Sequence, residues 1–201
     1  MPINPVRLGP LGLRVLVTAL AGLVAMSTPI EAATEQLSIG SPRGTIDFAI
    51  GDSKVFRTSG GFKSWQGKVQ VDDVDVSKSS VEVTVATPSI AMLDAQQTTM
   101  LRDVEFFDVD RHPTMQFRST RIERTGETTL RVLGEITLRG ITRPMQLEVS
   151  VTERRPDAAP GRRYAYFRAE GSIKRSEFGM VKFIDLVGDT VDISIRTDAW
   201  R

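Results

Sequence analysis

The sequence predicts an all-β domain, an antiparallel sandwich or barrel of about eight strands with one short α-helix. Three observations lead there. Apolar and polar residues alternate with a period of two in segment after segment, as in half-buried strands; Val81, Val83 and Val85 against Glu82 and Thr84 show it most cleanly. Turn residues separate these segments at the regular spacing of an antiparallel sheet. Only one stretch, through Met100, Val104 and Phe107, keeps the i, i+4, i+7 spacing of an amphipathic helix. Closing such a sheet removes its edges. About eight strands then enclose a space that either fills with side chains or holds one small ligand.

Residues 1–32 stand apart. Arg7 and Arg14 precede the apolar run VLVTALAGLVAM, and Ala32 and Ala33 follow. This is the basic start, short apolar middle and small-residue cut of a secretory signal peptide. The alternative is an uncleaved membrane anchor, but the run is shorter than the roughly 20 residues that span a bilayer. Cleavage after Ala32 is therefore expected, leaving 33–201 as a single domain.

Loss of Arg7, Arg14 and Glu31 takes the formal net charge from +1 to zero. No field then draws the domain to nucleic acid or an anionic membrane. Cysteine is absent, so thiol chemistry, cysteine-ligated zinc and disulfides are excluded, and core packing must hold the fold. Asn4, the only asparagine, lies in the leader, which removes any N-glycosylation acceptor from the domain.

Taken in order, an opening strand surrounds Leu37 and Ile39, and a second covers 44–51, with Ile46, Phe48 and Ile50 on one face. Ser59-Gly60-Gly61 marks a turn. An extended segment then runs from Phe62 through Trp65 to Val71, where Gly67 suggests a bend or bulge. The loop 72–80 carries Asp73, Asp75 and Ser77 at calcium-loop spacing, but Lys78 and Thr84 stand where such a loop needs Gly and Glu, so it is a solvated loop. The strand 79–86 ends at Pro88. Asp94, with Gln97 three residues on, caps a helix over about 95–104 whose apolar stripe should lie on the sheet.

Residues 102–120, RDVEFFDVDRHPTMQFRST, then hand an aromatic, acidic turn to a strand in which Met115 and Phe117 share a face. Pro113 holds His112 extended. The alternation breaks between Ser119 and Ile122, which suggests a bulge. Strands follow through Leu130, Val132, Ile136 and Leu138, with Gly134 on the inward face leaving room or a bend. After a turn over 140–144 come Met145, Leu147, Val149 and Val151, then strands over 164–173 and around Val191, Ile193 and Ile195.

His112 is the sole histidine, so a catalytic triad would have to use it with Asp108 or Asp110 and a serine; no nucleophile elbow is present. With no cysteine and one histidine, no metal-ligand spacing stands out. The aromatic residues, Phe56 among them, and five methionines of the domain fit either a packed core or an apolar tunnel. Arg102, Arg111, Arg118 and Arg121 fit either a solvated face or contacts to a phosphate or carboxylate head.

Four motifs in order carry a resemblance over nearly the whole domain: FFDVDRHPTMQFRST (106–120), LRGITRPMQLEV (138–149), KRSEFGM (174–180) and GDTVDISIRTDA (188–199). Together they resemble the YceI-like family of exported, polyisoprenoid-binding proteins. The resemblance implies a lipocalin-like, elongated antiparallel β-barrel with a short helix. Its tunnel would enclose a long isoprenoid, such as a polyprenyl phosphate or a quinone tail, in the periplasm or outside the cell. It implies no catalysis and no cofactor beyond the bound lipid.

Inward parity or motif position then selects Phe48, Trp65, Met115, Phe117, Phe167 and Phe178 as tunnel lining, with Leu101 and Phe107 closing one end. Arg102, Arg111, His112 and Arg121 are the head-group candidates. The chain departs from the family at Ser41-Pro42-Arg43, where His-Ser is usual, and at Glu177, where Asp is common. A membrane donor or acceptor protein is the expected partner, and a dimer is among the assemblies left open. Two alternatives remain, a stress-related structural or interaction protein with a filled barrel and an enzyme acting on an isoprenoid through His112.

Overall fold

The alternating segments close on themselves. A computed structural model of the chain describes residues 34–51, 57–72, 74–156 and 158–201; the leader, Phe56 and Asp73 lie outside the described residues. β1 (Glu35–Ile50) pairs antiparallel with the last strand, β10 (Thr190–Trp200). From β10 the sheet continues through β9 (Arg163–Lys174), β8 (Ile141–Thr152), β7 (Thr129–Leu138), β6 (Thr114–Arg124), β4 (Ser80–Ala86) and β3 (Trp65–Val71) back to β1. The two remaining segments prolong this ring without widening it. β2 (Thr58–Phe62) takes over from β3 along residues 46–50 of β1, and β5 (Ile90–Met92) pairs with β2 as β4 does with β3. The fold is a closed eight-stranded antiparallel barrel, two of whose strands are interrupted.

Several local expectations are revised. The two opening strands are one, because β1 continues through a kink at 40–43, where its register with β10 jumps between Ile39 and Gly44. Ser41 holds that kink, its hydroxyl bridging the Trp65 amide and carbonyl at 3.2 Å each. Ser59-Gly60-Gly61 is strand, not turn. At Gly60 a Cβ would meet Met92 Sδ at 2.5 Å and Phe48 Cζ at 2.7 Å, so glycine admits two inward side chains. Gly67 marks no bulge; its register is regular on both sides, and it serves close approach to β4, whose Glu82 carbonyl would lie 2.7 Å from a Cβ.

The chain reverses over Arg139 and Gly140 alone, both at positive φ, as a two-residue hairpin loop requires. Pro144 therefore sits within β8. It is tolerated because β9 pairs with β8 only over 148–152 among the described residues, so the missing N–H breaks no second ladder. The bulge expected near Ser119 is present, as the β6–β7 register shifts between Ser119 and Arg121.

Gly134 leaves room, and Phe117 takes it: a Cβ there would lie 2.5 Å from both the Phe117 ring and the Arg118 carbonyl. Gly134→Ala is expected to cost about 1–3 kcal/mol through overpacking against backbone, read from the urea midpoint. An unchanged midpoint would mean that β6 yields freely.

The helix α1 (Ala95–Arg102) starts where expected, with the Asp94 carboxylate accepting from the Gln97 amide at 2.9 Å. It ends earlier than expected, and its stripe divides: Val104 is 51% exposed, whereas Met100, 37% exposed, and Phe107 border the barrel interior with Gln97 and Leu101. A second helix, α2 (Ile184–Val187), was not anticipated because four residues carry no periodicity.

Two packed groups close the interior. Leu37, Phe62, Trp65, Ile90 and Tyr164 form one, and Phe117, Leu138, Leu147, Phe178 and Met180 the other. Burying each large side chain contributes roughly 1.5–3 kcal/mol. The outer face carries ion pairs across neighbouring strands, Arg118 to Glu82 at 3.1 Å and Arg131 to Glu148 at 2.9 Å. Exposed pairs of this kind contribute about 0–1 kcal/mol.

Candidate functional site

Between the two packed groups the barrel is hollow. Phe48, Val83, Met115, Phe167, Ile193 and Ile195 lie on the inward face yet are only half-buried. Their remaining surface faces an internal cavity of about 340 Å³, which they line together. That volume lies within the roughly 300–1,000 Å³ of small-molecule sites. The cavity runs from Trp65 and Thr197 at one level to Ile173, Arg175 and Val187 at another. Three aromatic rings border it in sequence: Phe48 and Phe62 have centroids 5.9 Å apart, and Phe62 and Phe107 meet edge to face at 5.6 Å.

The wall brings together Phe48, Trp65, Leu101, Phe107, Met115, Phe117 and Phe167 from the expected tunnel set. It does not include Phe178. That ring is fully buried in the second packed group: residues 175–178 form a 3-10 turn, and the motif position used to place it says nothing about direction there.

None of the four head-group candidates lines the cavity. Arg102 donates to the Ile90 carbonyl at 3.2 Å. Arg111 pairs with Asp108 at 3.5 Å, and Arg121 with Glu123 at 2.8 Å, both arginines lying on the exterior. The His112 amide donates to the Asp108 carbonyl at 2.8 Å, while its own carbonyl accepts from the Thr87 hydroxyl. The imidazole lies beside Gly140, where a Cβ would sit 3.4 Å from it. His112 thus anchors the turn before β6, and among the described residues it is not part of the cavity lining.

Thr58, Gln97, Gln116 and Thr197 also line the cavity, and the one charged residue among the described residues that does so is Arg175, which sequence reasoning missed. The signal was available: Phe167, Ala169, Gly171 and Ile173 share the inward parity of β9, and Arg175 is the next step on that face. Its Nε donates to the Gly188 carbonyl at 2.9 Å, and its Nη1 to the carbonyls of Met180 at 2.9 Å and Lys182 at 2.7 Å. Burial pushes the guanidinium below its usual pKa, and Asp189 works against that shift. At Asp189 itself burial acts upward, but hydrogen bonds from the Ser176 amide and hydroxyl, with Arg175 and Lys174 nearby, hold its carboxyl below the usual range. Two lining residues each keep one wholly buried donor without a protein partner among the described residues, Trp65 Nε1 and Arg175 Nη2.

A closed antiparallel barrel around an apolar hollow defines the class of lipocalin-like β-barrels. Within it the YceI-like domain matches residues 38–199, and the chain belongs to the YceI family. A UPF0312 protein of Serratia proteamaculans is 32% identical over 142 residues, 71% of this chain and 73% of that protein. The crystal structure of Burkholderia cenocepacia BcnA superposes with a TM-score of 0.67 at 23% identity, covering 79% of this chain and 96% of that one. A polyisoprenoid binding domain from Saccharophagus degradans, implicated in plant cell wall breakdown, gives a TM-score of 0.56 at 11% identity, covering 82% and 97%.

Proposed function

We propose that this chain is a non-catalytic binding protein that encloses a long isoprenoid lipid, a polyprenyl phosphate or a quinone tail, within its barrel. The observation that carries the reading is the elongated apolar cavity of about 340 Å³. Enclosing a prenyl tail recovers roughly 25 cal/mol for each Å² of apolar surface removed from water, with no chemistry required. The polyisoprenoid-binding designation of the Saccharophagus degradans domain supports the choice of ligand class. The signal-like leader supports a periplasmic or secreted location, where the protein would carry, store or protect the lipid between a membrane donor and an acceptor, with the lipid as its only bound cofactor. A filled-barrel structural role, in stress or otherwise, has the cavity against it. Catalysis through His112 has against it that His112 does not line the cavity.

Solvent extraction and mass analysis of protein purified from its native host test the reading. Isoprenoid recovered at about one per chain is expected. Protein that carries no isoprenoid, and takes none up from prenyl-lipid vesicles, would overturn it.

A further inference from the structure

The cavity reaches the surface chiefly beside the two helices. Among the described residues that line it only Gln97, Met100, Gln116 and Phe183 are exposed, and three of these stand on α1 or immediately before α2. The large apolar side chains exposed on the described surface gather at the same place: all but Val74 lie either at Leu93, Met100 and Val104 or at Val181, Phe183 and Leu186. The two stretches meet. The rings of Phe106 and Phe183 have centroids 6.5 Å apart, and Lys182 pairs with Glu105. A hydrocarbon tail crossing this mouth would touch apolar side chains within the barrel and outside it.

The two sides of the mouth are held differently. α1 is tied to β5, its Thr98 hydroxyl accepting from the Met92 amide at 2.9 Å and its Arg102 donating to the Ile90 carbonyl at 3.2 Å. The 183–187 segment is held at its ends. Arg175 Nη1 donates to the Lys182 carbonyl at 2.7 Å and Nε to the Gly188 carbonyl at 2.9 Å, which pins both flanks to the end of β9. Both junctions have positive φ, 59° at Phe183 and 88° at Gly188. Between them the amides of Ile184, Leu186, Val187 and Gly188 bond to carbonyls within residues 181–184, and none of residues 183–187 is buried. A segment with self-contained hydrogen bonds, no buried side chain and two firm pivots opens at less cost than the strands beside it.

The geometry points to residues 183–187 as a flap over the cavity mouth, pivoting on the two carbonyls that Arg175 holds and closing with the Phe183 ring on Phe106, so that the isoprenoid enters and leaves between α1 and α2. Phe183 suits the moving edge, being 48% exposed and yet part of the lining. Arg175 is then the hinge pin. The proposal rests on the reading of the cavity as a lipid site and adds the ligand's route and the part that moves.

Two measurements test it. In hydrogen exchange of the lipid-free protein, the amides of Leu186, Val187 and Gly188 are expected to exchange at least about a hundredfold faster than those of β9 and β10. Equal protection overturns the flap. The second measurement follows uptake and release of radiolabelled geranylgeraniol by the delipidated protein. A gate governs both rates, whereas a wall contact acts mainly on release. Phe183→Ala removes the ring contact with Phe106 and is expected to speed both rates about fivefold, so that affinity falls much less than release rises.

Phe183→Leu is expected to fall between wild type and Phe183→Ala, and it decides if the alanine variant fails to fold. Faster release without faster uptake makes Phe183 a wall contact and overturns the flap, as does no change in either rate; both results leave the lipid site standing. A wild-type chain that takes up no geranylgeraniol overturns the lipid reading and the route with it.

Discussion

Tryptophan in place of Ile193 is expected to leave the barrel folded and to weaken isoprenoid binding about sixtyfold. Ile193 lies on the inward face of β10, opposite Phe48 on one neighbour and Gly171 on the other, and lines the cavity without being packed over. A larger side chain there grows into empty space, so the overpacking that normally costs about 1–3 kcal/mol should be mostly avoided. The indole instead occupies volume that a tail would use. Displacing on the order of 100 Å² of ligand surface forfeits about 2.5 kcal/mol, or some sixtyfold in affinity. Titration with a prenyl lipid, alongside thermal melting, checks both halves. Undiminished binding in a folded variant would mean that the lipid sits elsewhere.

Phe178→Ala is expected to do the reverse, lowering stability by about 3–5 kcal/mol while leaving the affinity of the folded fraction unchanged. The ring is 0% exposed and packs with Met180 and the second core group. Truncating a fully buried phenylalanine removes its transfer energy and leaves a void the neighbours only partly fill. It does not line the cavity, so no ligand contact is lost. Urea unfolding followed by lipid titration separates the two effects. Weaker binding with little loss of stability would return Phe178 to the tunnel wall.

The contrast between Ile193 and Phe178 also marks how far sequence carries. Period-two alternation assigns each strand residue to a face, and for Phe48, Met115, Phe117 and Phe167 that face is the cavity. The same logic located the bulge at Ser119 and the room at Gly134, and side-chain chemistry located the Asp94 cap. Parity does not say how far opposite side chains reach. Whether they meet depends on how many strands close the ring and how they are staggered, which no single strand encodes.

The residues that do not reach the cavity wall are those where strand parity stopped or never applied. Phe178 falls in a 3-10 turn just past β9. Arg102 and Arg111 flank turns, where proximity to a motif says nothing about direction, and Arg121 follows the bulge and ends beside Glu123 on the outer face. Gly60 and Gly61 resemble turn residues in composition, but the close approach of Phe48 and Met92 at Gly60, and of the Ile46 carbonyl at Gly61, needs glycine just as strongly.

The pairing of β1 with β10 has a consequence for how the molecule comes into being. The first strand made must wait for the last one before the ring can shut, so the contacts that seal it join residues almost at opposite limits of the domain. Such long-range contacts slow folding, because the entropy of gathering the chain is lost before they form. Until β10 emerges, the nascent polypeptide carries two open edges and no interior, and a ribosome stalled before residue 190 would release a chain prone to sticking to its neighbours.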